Sequence, residues 1–228
     1  MLGVSVLFAQ TPIAAVYSGN NHEIECPILL YHNVSDSNII MDPFTISTHE
    51  FEADLKYLMK EGYQPVFISD VIEAAYGNKT LPKKPIVITF DNGYRSFIDN
   101  ALPLLEEYNA KAVVSVIGHY TETSAQNKSK GYTYTYLTWD DIAEASKSGL
   151  VEFQNQSYHM YNNEFSTKEA FYTDALKLNK LLQEKSGVTP SAYTFSFDYD
   201  ISDMTELKNI LKKLGFRASM TYEEDINI

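Results

Sequence analysis

Asp91 and Asn92 stand side by side at the end of Pro85-Ile86-Val87-Ile88-Thr89-Phe90, the strongest strand pattern in the chain. That run is apolar along its length, as a strand covered on both faces should be. An acidic residue directly after such a strand is held rigidly at the rim of a sheet. Gly93 permits a sharp turn or the close approach of a ligand, although Asp-Asn-Gly is also an ordinary turn. A second polar loop, Gln154 to Tyr161, follows the strand candidate Leu150-Val151-Glu152-Phe153 and holds one imidazole, His159. A lone histidine in a polar loop is either a ligand or a solvent-facing side chain. A third loop, Ser196 to Asp200, adds Asp198 and Asp200 after the strand candidate Ala192 to Phe197. His32 closes the strand candidate Pro27 to Tyr31 and would point towards the same rim.

These loops need a frame that brings strand ends together. Short apolar runs alternate with amphipathic segments from Glu25 onward. Phe51, Leu55, Leu58 and Met59 recur at helical spacing behind the capping box Ser47 to Glu50, and Gly62 stops that helix. The pattern predicts a strand at Pro65 to Ile68 and a short helix opened by Asp70 and Glu73. It predicts a further helix over 101–108, a strand over 112–117 and a polar loop over 121–136. Residues 126–134 read as the mobile part of that loop. A second capping box, Thr138 to Asp141, opens a helix to Lys147. Helices over 166–184 and 204–214 and a strand over 216–220 complete the chain. Repeated strand–helix units imply an α/β fold with a parallel sheet, either open and doubly wound or closed as a barrel. In both, chemistry gathers at the C-terminal ends of the strands.

Composition narrows the partners. The 228 residues suffice for one sizeable domain, and no linker or repeat divides them. Lys and Arg number 18 against 30 Asp and Glu, a formal charge of -12, which disfavours nucleic acid and anionic membrane surfaces. Seventeen tyrosines suit carbohydrate contact, because each ring joins a flat apolar face to a polar tip; half-buried packing is the blander alternative. Cys26 is the only cysteine, so there is no intramolecular disulfide and no thiolate zinc site. Residues 1–18 carry no charged side chain and resemble a secretory signal peptide or its remnant, without the basic n-region. The segment is too short and interrupted for a transmembrane helix, and no other stretch could span a bilayer. The expectation is a secreted or cell-envelope protein of bacterial type, or a cytoplasmic one if the segment is no signal.

The loop Thr89-Phe90-Asp91-Asn92-Gly93-Tyr94 resembles the first motif of the polysaccharide deacetylase family (the NodB-homology domain, carbohydrate esterase family 4), which usually reads T-F-D-D-G-Y. Pro27-Ile28-Leu29-Leu30-Tyr31-His32 is similar to its opening strand. Ala101-Leu102-Pro103-Leu104-Leu105, Lys111-Ala112-Val113, Leu137-Thr138-Trp139 and Leu214-Gly215-Phe216-Arg217-Ala218 fit further stretches. The resemblance covers residues 26–222 and implies a deacetylase-like domain over 26–228. It implies a distorted parallel (β/α) barrel with about seven strands. It also implies metal-dependent N-deacetylation of a carbohydrate, an N-acetylated polysaccharide or peptidoglycan, with a divalent metal, usually zinc.

Carried over residue by residue, Asp91 matches the catalytic base. Asn92 stands where the family has a metal-binding Asp. Gln156 takes the first metal-His position, and the second falls at Met160 or Tyr161. No metal-ligand position is intact, and His32 and His159 are the candidate substitutes. Tyr94, Ser157, Tyr158, Phe197, Asp198 and Tyr199 would line the substrate groove. The family's late motifs do not occur before Ile228, as in a truncated copy. Two readings follow: an N-deacetylase with Asp91 as base, or a non-catalytic relative that binds glycan or a partner. A decaying gene product is a third.

Overall fold

The computed structural model describes residues 13–17, 23–36, 43–129, 134–159, 167–196 and 201–221. Ten strands occur among them: β1 (Ile13–Tyr17), β2 (Glu23–Tyr31), β3 (Asn33–Val34), β4 (Thr45–Ile46), β5 (Gln64–Pro65), β6 (Pro85–Phe90), β7 (Ala112–Val116), β8 (Val151–Asn155), β9 (Ala192–Thr194) and β10 (Ala218–Met220). The main sheet runs β1-β2-β6-β7-β8-β9-β10, with β5 pairing beside β6. All its pairings are parallel except β1 on β2. It forms a curled half-barrel, the distorted parallel (β/α) arrangement expected from the sequence. Ile13–Tyr17, within the stretch read as a leader, is the antiparallel edge strand; residues 1–12 lie outside the described ones.

Strand parity divides the core. On one face Leu29, Tyr31, Ile86, Ile88, Phe90, Val114, Val116 and Phe153 meet the helices α1 (Thr48–Lys60), α3 (Leu102–Glu107), α5 (Trp139–Ala145) and α6 (Lys168–Ser186). On the other, Cys26, Ile28, Val87, Val113, Ala192 and Met220 meet α2 (Ile68–Ala75). Burial there pushes the Cys26 thiol up to about 12, so it stays a protonated packing group. Each large side chain so buried contributes about 1.5–3 kcal/mol.

The capping boxes at Ser47/Glu50 and Thr138/Asp141 form as the sequence indicates. Two segments differ. The strand expected over Pro65–Ile68 ends at Pro65, and Ile68 opens α2 instead. The reason is local: the Asp70 carboxylate accepts from the Phe67 N–H at 3.1 Å and starts a helix there. The polar loop expected from Thr121 is largely the helix α4 (Gly118–Ser129). It has no apolar stripe to betray it. Two of its polar residues are nonetheless buried, Thr121 and Ser124, and the Ser124 hydroxyl donates to the Tyr136 carbonyl. Residues 130–133 of the expected mobile stretch lie outside the described ones.

Candidate functional site

Phe90 fixes where Asp91 goes. Its ring packs on Tyr31, Phe51 and Phe97 with centroids 4.9–5.5 Å away, on the helix-covered face of the sheet. Strand parity then turns Asp91, one residue on, to the opposite face. Its N–H donates to the Tyr31 carbonyl at 2.9 Å, extending the β2–β6 pairing by one residue. The carboxyl group is at the sheet's C-terminal rim in a residue only 2% exposed.

Gln156 follows β8 directly, two strands away in the sheet, and its amide spans the gap. Its Nε2 donates to Asp91 Oδ2 at 3.0 Å, and its Oε1 accepts the Asn92 backbone N–H at 2.7 Å. Donor chemistry fixes this orientation. A backbone N–H can only donate, so Oε1 must face Asn92 and Nε2 then faces Asp91. Gln156 is fully buried, and its own N–H donates to the Val116 carbonyl at 3.1 Å. Asp91, Asn92 and Gln156 thus form one hydrogen-bonded unit joining two loops 64 residues apart in sequence.

The turn at Asn92-Gly93 is left-handed at both residues, with φ of 71° and 67°. Asn tolerates this conformation and Gly favours it. Gly93 is needed for space as well, because a Cβ there would lie 2.9 Å from Val116 Cγ1. Gly93→Ala is therefore expected to cost about 2–4 kcal/mol, the left-handed penalty plus overpacking, measurable by urea unfolding. The Gly93 carbonyl accepts from Leu137 N–H at 2.9 Å, and Arg95 N–H donates to Thr135. These bonds hold Tyr94 against Tyr136, rings stacked at 5.1 Å, and the Asn92 amide reaches the Tyr94 hydroxyl at 3.4 Å.

Ser157, Tyr158 and His159 gather on a different carboxylate, Asp174 of α6. Asp174 Oδ2 accepts from the Ser157 hydroxyl and the Tyr158 N–H, both at 2.6 Å. Its Oδ1 meets the His159 N–H at 3.1 Å and His159 Nδ1 at 2.9 Å. The His159 side chain is 56% exposed and stacks loosely beside His119. Ser157 has a φ of 76°, so these bonds hold a strained backbone next to the site. Sequence reasoning missed Asp174. The available signal was a carboxylate among Phe171, Ala175, Leu178 and Leu182, on the apolar face of α6.

His32 lies just past β2, its ring 5.0 Å from Phe44. Tyr161, Phe197, Asp198 and Tyr199 lie outside the described residues. Among the described residues no three His, Cys, Asp or Glu side chains converge as a metal site would require. Of the ligand positions implied by the resemblance, Asn92 and Gln156 are amides, and Gln156 has both polar atoms committed. For Gln156 to ligate a cation beside Asp91, its present bonds would have to break so that Oε1 could face the ion.

Comparison with known proteins agrees with this architecture. The chain is similar to the poly-beta-1,6-N-acetyl-D-glucosamine N-deacetylase of Escherichia coli (strain K12), 28% identical over 229 residues. That alignment covers 86% of this chain and 34% of the relative, so the chain spans about a third of its length. The enzyme of the same name from Staphylococcus aureus (strain MRSA252) is 22% identical over 215 residues, covering 86% of this chain and 71% of that protein. Among solved structures, IcaB from Ammonifex degensii superposes with a TM-score of 0.72 at 22% identity, covering 89% of this chain and 85% of that one. The Streptococcus pyogenes deacetylase PplD gives 0.69 at 24% identity, covering 84% and 81%. These two likenesses establish the fold. The polysaccharide deacetylase family matches residues 78–219, which include Asp91, Asn92 and Gln156 and make up more than half of the sequence; the chain belongs to that family.

Proposed function

We propose that this chain is a glycan-directed member of the family that binds N-acetylated glucosamine polymer at the cell surface without the metal-assisted hydrolytic step. The observation that carries the reading is the Gln156 amide, bonded to Asp91 on one side and to the Asn92 backbone on the other. Hydrolysing an acetamide requires a strong nucleophile near neutral pH and a stabilised oxyanion. A bound metal supplies both, lowering the pKa of its water to about 7. Zinc prefers imidazole, thiolate and carboxylate donors. Here two expected ligands are neutral amides, and the one bonded to Asp91 presents N–H rather than a lone pair to the carboxylate. This donor set does not fit the cation. Asp91, buried and already accepting a hydrogen bond, then serves to hold the rim together.

The fold and its groove are those of a family whose named relatives are poly-beta-1,6-N-acetyl-D-glucosamine N-deacetylases, which supports an N-acetylated glycan as the ligand. A secreted or cell-envelope location is the setting in which such a polymer is met. No helix among the described residues is long and apolar enough to cross a membrane. The test pairs equilibrium binding of β-1,6-linked N-acetylglucosamine oligomers with an acetate-release assay in added zinc. The expected result is saturable binding with no acetate released. Zinc-dependent acetate release that disappears in Asp91→Ala would establish an enzyme instead, and absence of binding would remove the glycan reading.

A further inference from the structure

Ser196 ends the polar row on the face of the sheet that carries Asp91 and Gln156. Side chains alternate along β9 and the residues just after it. Tyr193 and Phe195 pack with Phe171 and Ala175 of α6 and with Leu207 and Leu211 of α7 (Ile201–Lys213). Ala192 and Thr194 turn the other way. Ala192 packs with Val87 and Val113, and the Thr194 hydroxyl bonds to the Ser115 hydroxyl of β7 at 2.8 Å. Ser196 comes next on that side. The residue before it is pinned, since the Phe195 N–H donates to the Met220 carbonyl at 2.9 Å. The β8–β9 pairing sets the level. Asn155 lies opposite Tyr193, so Gln156 is level with Thr194, and Ser196 stands nearer the rim. Asp91, Gln156 and Ser196 are thus the rim residues of β6, β8 and β9 on one face.

Their hydrogen bonding differs. Asp91 and Gln156 bond to each other. The Ser196 hydroxyl is buried, in a residue only 9% exposed, and among the described residues nothing bonds to it. Folded proteins pair nearly all their buried polar groups, so an unpaired hydroxyl beside a candidate site marks where a ligand supplies the partner. Two other hydroxyls share this state, Thr121 and Thr221, but neither is on this face. Thr121 is on α4, and alternation from Met220, which packs with Ala192, turns Thr221 to the helix-covered side.

A serine hydroxyl can donate to a carbonyl oxygen. The acetamido group of an N-acetylated glucosamine extends such an oxygen beyond its nitrogen. The free amine of the de-N-acetylated sugar stops at the nitrogen and has no acceptor to offer once protonated. We propose that Ser196 is a specificity-determining residue of the glycan site, its hydroxyl donating to the acetamido carbonyl of a sugar bound beside Asp91 and Gln156. The inference rests on the glycan-binding reading and deepens it by naming the group on the sugar that the chain reads.

The test compares binding of a β-1,6-linked N-acetylglucosamine hexamer and its de-N-acetylated form to wild type, Ser196→Ala and Ser115→Ala. Salt is kept high enough to screen attraction of the cationic form to the acidic chain. Wild type should prefer the N-acetylated oligomer. Ser196→Ala should reduce that preference about five- to tenfold, the size of one hydrogen bond. Its Tm should equal or exceed that of wild type, because the free chain loses no bond. Ser115→Ala is the contrast, a hydroxyl on the same face with a structural bond. Its Tm should fall, and its preference should stay within about twofold of wild type. If Ser196→Ala keeps the wild-type preference, Ser196 does not read the acetyl group, while glycan binding stands. A fall in Tm for Ser196→Ala as large as that for Ser115→Ala would mean that the hydroxyl is bonded in the free chain, and would also overturn the inference. If wild type binds neither oligomer, the glycan-binding reading falls and takes the inference with it.

Discussion

Asp174→Ala is expected to lower the stability of the chain by about 3–5 kcal/mol, with a fall in Tm on the order of 10 °C. The size follows from how many groups depend on one carboxylate. The Ser157 hydroxyl, the Tyr158 and His159 backbone N–H groups and the His159 ring all converge on it. Ser157 and Tyr158 are buried, so removing the acceptor leaves donors that water cannot reach. Each such orphan costs about 1–3 kcal/mol. Ser157 also holds a left-handed backbone, which loses one of its restraints once its hydroxyl is released and keeps the bonds to Asn155 and Gly118. Asp174→Asn should be milder, because its carbonyl oxygen still serves one side of the loop, but its NH2 then faces donors on the other. The measurement is urea unfolding of both variants. A change below about 0.5 kcal/mol for Asp174→Ala, the size of an ordinary surface substitution, would contradict the role assigned to it.

The second large effect is a gain. Asn92→Asp, Gln156→His and Tyr161→His together replace two amides and a phenol by a carboxylate and two imidazoles. That donor set is one that zinc accepts in catalytic sites of three protein ligands. The triple variant should bind zinc with a Kd on the order of 1 μM or tighter, where the wild type shows no specific site. Without zinc it should be less stable than wild type by about 2 kcal/mol, because the Gln156 bridge to Asp91 and Asn92 is gone. Zinc at a hundredfold excess over Kd should then return about 2.7 kcal/mol, visible as a concentration-dependent Tm. Residue 161 is included on the spacing of the family motif. A folded triple variant that takes up no zinc would show that spacing to be misassigned.

The sequence made the frame legible where local chemistry decides structure. The apolar run Pro85–Phe90 became the central strand β6, and the boxes at Ser47/Glu50 and Thr138/Asp141 became helix starts. Asp91 was legible for the same reason, as the residue that the strand ends on. The helix α4 was not, because its inward face is Thr121 and Ser124 rather than leucines, so the pattern that signals a helix was missing. The Phe67/Asp70 start of α2 was hidden by a neighbouring run of β-branched and aromatic residues that reads as a strand. The Gln156 bridge could not be read at all. Gln156 stood out as a replaced ligand, but its partners lie 64 and 65 residues away, and only the curl of the sheet brings them within hydrogen-bonding reach. Asp174 was hidden in the same way, a charged residue whose purpose appears only when the 155–159 loop folds over it.

The Gln156 bridge also carries the proposed separation of glycan binding from hydrolysis. Metal-assisted hydrolysis depends on donors that can hold a cation, and at two of the positions implied by the resemblance the chain has amides, of which Gln156 is already bonded to Asp91 and to the Asn92 backbone. The most direct measurement is a calorimetric titration of the wild-type chain with zinc at neutral pH, run beside Asp91→Ala. With Gln156 bonded to Asp91 and Asn92, the two proteins should give the same weak, unsaturated heats. A single tight site in the wild type, whether or not Asp91→Ala removes it, would contradict the proposed loss of the metal.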